Sequence, residues 1–181
     1  MATAGPNSGG TFADDTAVGT NAWGTPGNAS ASDDARATVA IVTAAPESSY
    51  YLKATGFGFA IPGGATIDGI TVEIEQSKGN AAPTVENSVK IAKAGVIGGT
   101  DKSTAAALTT TDAYVTYGGA ADLWGLTWTA ADINAATFGA GFSVTLNGAT
   151  STGRVDHIRI TINYTESAAT AKNLTLLGVG A

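Results

Sequence analysis

"GFGFAIPGGATIDGITVEIEQ", residues 56–76, is the stretch that decides the fold class. Its second half alternates without a slip. Ile70, Val72 and Ile74 point one way, and Thr71, Glu73 and Glu75 point the other. A period of two with one apolar face is a half-buried antiparallel strand. The first half sets Phe57, Phe59 and Ile61 at even spacing before Gly63-Gly64, so the stretch predicts strand, turn, strand. Gly56 and Gly58 fall on the opposite face, where another backbone can approach closely.

The same period recurs on both sides. "ATVAIV" (37–42) alternates on Val39 and Ile41, and "YYLKATGFGFAI" (50–61) on Tyr51, Phe57, Phe59 and Ile61. "TVENSVKIAKAG" (84–95) turns Val89 and Ile91 inward and Lys90 outward, and "DAYVTYGG" (112–119) is a short strand. "FGAGFSVTLNG" (138–148) places Phe138, Phe142, Val144 and Leu146 together. "RVDHIRITINYT" (154–165) places Ile158, Ile160, Ile162 and Tyr164 together, with a slip near Val155 that predicts a β-bulge. One helix is signalled, in "TAADINAATFG" (129–139), where Thr129 and Asp132 have the spacing of an N-terminal cap. Seven or eight strands and a single short helix predict an all-β fold. The architecture is a two-sheet antiparallel β-sandwich, jelly-roll-like, with extended N- and C-terminal arms. The nine residues Ile70, Val72, Ile74, Phe142, Val144, Leu146, Ile158, Ile160 and Ile162 are expected to form one core between the sheets.

The expected boundaries follow the change of texture. Residues 1–36 are an extended N-terminal arm without periodicity, pinned by Phe12 and Trp23 either to this domain or to a neighbouring subunit. Residues 37–165 are the sandwich. Residues 166–181 are a small, apolar tail whose Leu174, Leu176 and Leu177 call for a covering surface. Phe12, Trp23, Leu174, Leu176 and Leu177 are thus the expected partner-binding residues.

Composition removes several function classes. The chain has 181 residues, a net charge of −6 and only 13% charged residues. Soluble proteins carry roughly 25%. Such a surface suits packing against copies of itself or other proteins, and equally an exported protein of low surface charge. Six Lys and three Arg are scattered without a basic run, so the footprint of nucleic-acid binding is missing. The absence of Cys excludes disulfide scaffolds, thiolate metal sites and cysteine nucleophiles. "MATAGPNSGG" lacks the charged and apolar regions of a signal peptide, and no apolar run reaches the ~20 residues of a membrane span. Synthesis in a cytoplasm, with no membrane partner, is expected.

Few residues carry chemistry. The lone histidine, His157, would be the base of a hydrolase, yet alternation turns its neighbour Asp156 to the opposite face, and no G-x-S-x-G elbow precedes it. Glu73 and Glu75 lie about 6–7 Å apart along one strand face, a common solvated pair rather than a glycosidase dyad. Asp14-Asp15 and Asp33-Asp34 would suit Ca²⁺, but the D-x-D-x-D-G spacing is absent. The Gly-rich loops are followed by no Lys-Ser/Thr, so they cradle no phosphate. Catalytic residues, cofactors and metal ligands are therefore none. Tyr114, Tyr117, Trp124 and Trp128 lie close in sequence, and Trp124 and Trp128 form the alternative reading, a stacking platform for a glycan, against burial where the helix packs on the sheet.

The ordered blocks "YLKATGFGFAIPGGATIDGITVEIE", "VKIAKAG", "YGGAADLWGLTWTAADINAATFGAGFSVTL" and "VDHIRITINY" resemble a group of phage and prophage virion structural proteins. The resemblance implies a non-enzymatic virion protein on a jelly-roll-like sandwich. The expected role is a capsid decoration (cement) protein, bound to the major capsid protein or other virion proteins through its arms. A homo-oligomer is expected, a trimer favoured over a dimer. The alternative reading is a carbohydrate-binding β-sandwich module of a phage tail or cell-surface protein.

Overall fold

A computed structural model describes residues 1–41 and 45–167. The chain forms two antiparallel sheets packed face to face. The first sheet contains β1 (Ala2–Ser8), β11 (Thr152–Thr165), β6 (Thr66–Lys78) and β9 (Ala113–Gly119), in that order, and β3 (Ala37–Ala40) also pairs with β11. The second runs β2 (Thr11–Asp15), β5 (Tyr51–Thr55), β10 (Gly139–Leu146), β7 (Thr84–Lys93) and β8 (Val96–Gly98), with β4 (Glu47–Ser48) on β10. The all-β, two-sheet sandwich is as expected.

Alternation explains the core. Ile70, Val72 and Ile74 of β6 lie opposite Ile162, Ile160 and Ile158 of β11, and all six are fully buried. Phe142, Val144 and Leu146 of β10 close the layer from the other sheet and are fully buried as well. The nine expected core residues thus form one core. The slip near Val155 is a real bulge: the β6–β11 register shifts between Val155 and His157. The helix signal is also realised, as α1 (Ala130–Asn134). The Thr129 side chain accepts from the Asp132 amide, and the Asp132 carboxylate accepts from the Thr129 amide.

Two expectations are corrected. The strand over 50–61 ends at Thr55, because Gly56 and Gly58 have φ of +72° and +65°, outside the extended region. Phe57, Phe59 and Ile61 are still buried, carried by an irregular segment that Asn134 fastens through hydrogen bonds to the Ile61 amide and carbonyl (2.7 and 2.9 Å). Residues 1–36 are not a free arm. They supply β1, paired with β11, and β2, paired with β5. Of the two anchoring options, Phe12 and Trp23 pack on their own domain. Phe12 lies against the core, and Trp23 is buried, with Nε1 donating to the Tyr50 carbonyl at 2.9 Å. Leu174, Leu176 and Leu177 lie outside the described residues.

Candidate functional site

At one side of the sandwich the sheets part around a cleft of about 420 Å³. One wall is β9. The other is the segment that leaves β8, which follows the edge of β7 through hydrogen bonds from the Lys102 amide to Val89 and from the Glu86 amide to Ala106 (both 2.9 Å). It crosses to β6 where the Lys78 amide donates to Thr109 at 2.7 Å.

Three buried polar residues on strands of both sheets form the floor: Gln76 (β6), Tyr117 (β9) and Glu86 (β7). Tyr117 donates its hydroxyl to Glu86 Oε1 at 2.6 Å. Gln76 Nε2 donates to the Tyr117 hydroxyl at 2.8 Å and to Glu86 Oε1 at 3.2 Å. Glu86 Oε2 accepts from the Thr104 amide (2.9 Å) and hydroxyl (3.3 Å). Burial, then the neighbouring Glu86 carboxylate, pushes the Tyr117 hydroxyl well above its ordinary range, so it remains a proton donor. Gln76 Oε1 is buried and has no hydrogen-bond partner.

Lys102 Nζ and Asp122, both lining the cleft, join its two walls with an ion pair at 2.6 Å. Burial opposes ionisation of Asp122, but hydrogen bonds from Lys102 and from the Trp124 amide hold its carboxyl below the usual range. Lys102 also lies over the Trp124 ring, 5.9 Å from its centroid. The remaining lining combines Thr104, Thr109 and Thr116 with an apolar strip of Leu108, Ala113 and Val115.

The alternative reading of Trp124 and Trp128 as a stacking platform is not what the structure builds. Trp124 is fully buried, and its Nε1 donates to the Ile70 carbonyl at 2.9 Å. Trp128 is half-buried, with the Phe138 ring at its edge (centroids 5.4 Å apart) and Lys93 over its face at 5.3 Å. The stronger reading, burial, holds for Trp124, which serves the cleft from behind its wall.

Elsewhere, the outer face of the first sheet gathers residues that the sequence kept apart. His157 Nε2 meets the Ser8 hydroxyl at 2.8 Å, and Nδ1 meets the Tyr114 hydroxyl at 2.7 Å. Arg159 holds Glu73 through two hydrogen bonds of 3.0 Å and lies 4.0 Å over the Tyr114 ring. The bulge corrects the placing of Asp156. Its Oδ2 accepts from the Asp34 amide at 3.2 Å, and its charge is felt at His157. Burial, and secondarily the nearby Glu75, push the Asp156 carboxyl up against that hydrogen bond. Tyr114, rather than a carboxylate, occupies the orienting position on the imidazole, so this is no serine triad. The paired aspartates are dispersed as well. Asp15 pairs with Lys53 at 2.7 Å, Asp14 accepts from the Trp23 amide at 3.0 Å, and Asp34 pairs with Arg36. Among the described residues no three acidic or imidazole side chains are gathered for a metal.

Burial, and then the Arg159 guanidinium, hold His157 below its ordinary value of 6.5, against the attraction of Glu75, Asp156 and Glu73. A base with a lowered folded pKa is fully stabilising above its unfolded value, and that stability is lost as pH falls from 6.5 through the folded value. Urea midpoints should therefore fall between about pH 7 and about pH 5, and His157→Gln should flatten that part of the profile. An unchanged profile in the variant would show that His157 does not set it.

Gln76, Glu86 and Lys102 escape sequence reasoning as a site. Strict alternation from Val89 would turn Glu86 to solvent, but a register shift between Ser143 and Val144 brings it opposite Val144 and into the gap between the sheets.

No family model and no curated protein matches the chain. Two solved structures are similar. One is described as a CBM4, at 19% identity and a TM-score of 0.36, covering 78% of this chain and 85% of its own. The other is the N-terminal cellulose-binding domain of Cellulomonas fimi β-1,4-glucanase C, at 16% identity and a TM-score of 0.35, covering 91% and 99%. The capsid-decoration reading is corrected: the two similar structures are carbohydrate-binding modules, and the N-terminal segment meant for attachment is built into both sheets.

Proposed function

We propose that this chain is a non-catalytic carbohydrate-binding β-sandwich that takes part of a glycan into the cleft between β9 and the segment 102–109. One observation carries the reading. A buried, unpartnered acceptor, Gln76 Oε1, belongs to a cleft floor shared with the Tyr117 hydroxyl and the Glu86 carboxylate, below walls that offer hydroxyls, a neutralised ion pair and a short apolar strip. Buried polar atoms are normally satisfied, so an orphan on the floor of a cleft calls for a partner from outside the chain. The volume falls within the range of roughly 300–1,000 Å³ usual for small-molecule sites. Sugars offer alternating hydroxyls and C–H faces, which suit Thr104, Thr109 and Thr116 beside Leu108 and Val115. A phosphorylated ligand would require unpaired cations, and Lys102 is bound to Asp122.

The test is a titration of ¹⁵N-labelled protein with cellotetraose, xylotetraose, laminaritetraose and maltotetraose. Cellotetraose is included because one similar structure is a cellulose-binding domain. Saturable shifts should appear at the Gln76 side-chain amide, Tyr117 and residues 102–109, with no hydrolysis of the sugar. Shifts confined to another surface, or none with any of the four, would overturn the reading.

A further inference from the structure

Given a cleft that holds a glycan, we infer that Gln76 makes it selective for an uncharged hydroxyl that donates a hydrogen bond, and that acidic sugars are excluded. The inference rests on the directions of the floor's hydrogen bonds. Glu86 Oε1 accepts from both Tyr117 and Gln76, and Oε2 accepts twice from Thr104. Glu86 Oε1 acts as an acceptor toward the Tyr117 hydroxyl, so the group of Gln76 facing it is the NH₂. The Tyr117 hydrogen is committed to Glu86, so its oxygen accepts from that same NH₂. The amide orientation is thereby set, and what remains is a carbonyl oxygen with free lone pairs.

Every donor on the floor is used within the protein, and the one unmet group is an acceptor. A ligand reaching it must bring an O–H or N–H. A carboxylate or sulfate brings only acceptors, and would lie beside the buried Glu86 with no free cation to offset it, since Lys102 is held by Asp122. A protonated amine brings donors too, but the neutral glycans of the proposed site offer only hydroxyls. A neutral hydroxyl is the class that remains.

The experiment uses the wild-type chain, so it does not depend on any variant folding. Calorimetry compares the tightest of the three hexose tetrasaccharides (cellotetraose, laminaritetraose or maltotetraose) with its C6-oxidised uronate form and its fully O-methylated form. Both modified sugars should bind at least about tenfold more weakly, because a site built to pair a hydroxyl is left unsatisfied by an analogue without one. The floor is then addressed with Gln76→Leu, which should lose about tenfold for the neutral sugar, whereas Gly27→Ala, outside the cleft lining and with nothing within 4 Å of its added Cβ, should change affinity less than about threefold. Equal binding of neutral and uronate forms would overturn the selectivity while leaving the glycan site intact. Failure of all four neutral sugars would instead overturn the glycan reading itself.

Discussion

Replacing Trp124 by Ala is expected to lower the unfolding free energy by about 3–5 kcal/mol, the range for large aromatic truncations in a core. The indole is completely buried and hydrogen-bonded to the Ile70 carbonyl, so truncation leaves a cavity and an unmet acceptor on a central strand. Its neighbourhood is shaped to admit it. Gly118 has φ +72°, and a Cβ there would lie 2.7 Å from the indole Nε1. Trp124 itself has φ +57°, a conformation costly for a non-glycine residue, held by its amide on Asp122 and by the Thr100 amide on its carbonyl (both 2.8 Å). The same change should weaken sugar binding, because Asp122 and Lys102 are both positioned against Trp124. Guanidinium melts read the first effect and calorimetry the second. Trp124→Phe separates the terms: it keeps most of the ring and should cost about 1 kcal/mol for the missing N–H. A loss below about 1 kcal/mol in Trp124→Ala would show that the ring is not part of the core.

Gly139→Ala should cost about 3 kcal/mol or more, the upper end of overpacking penalties. Gly139 begins β10 and sits between Thr55 of β5 and Ala92 of β7, in the interior of the second sheet. An added Cβ would lie 1.8 Å from the Ala54 carbonyl oxygen and 2.9 Å from its carbon. Those are backbone atoms of a paired strand, so the clash is relieved only by moving β5 away from β10. Faster amide hydrogen exchange in β5 should accompany the loss in denaturant melts. Gly27→Ala is the control, since its Cβ would meet nothing within 4 Å, and it should stay within about 0.5 kcal/mol of the wild type. Equal stability of the two variants would refute the assignment of Gly139 to a close-packed crossing.

How much of this was legible in the chain depended on side-chain size. Strands whose inward residues are Ile, Val or Phe announce their faces, so β6, β10 and β11 are readable, as are the bulge after Val155 and the Thr129–Asp132 cap. β1 and β2 are built largely from Ala, Gly, Thr, Asn and Asp, whose sizes and polarities show no period. Their strand character comes from the ladders they complete, on β11 some 150 residues away and on β5, and no local pattern reports such pairing.

The candidate site was less legible than the fold. Tyr117 could be noticed as one of several clustered aromatics, but its partners could not. Gln76 and Glu86 meet only because the sheets face each other there and because a bulge beside Ser143 turns Glu86 inward. Likewise, whether Trp124 stacks on a sugar or supports a wall depends on which ring faces other elements cover.

The sequence by itself determined that this chain is an all-β sandwich, which strands supply its core, and where α1 begins. Those outcomes follow from period, size and capping, which act over a few neighbouring residues. The tertiary structure alone decided that the N-terminal segment belongs to both sheets, that Trp124 is buried, and that Gln76, Glu86 and Tyr117 share one cleft floor. Each of those depends on register between strands far apart in the chain, and register is settled by the summed packing of the whole sandwich.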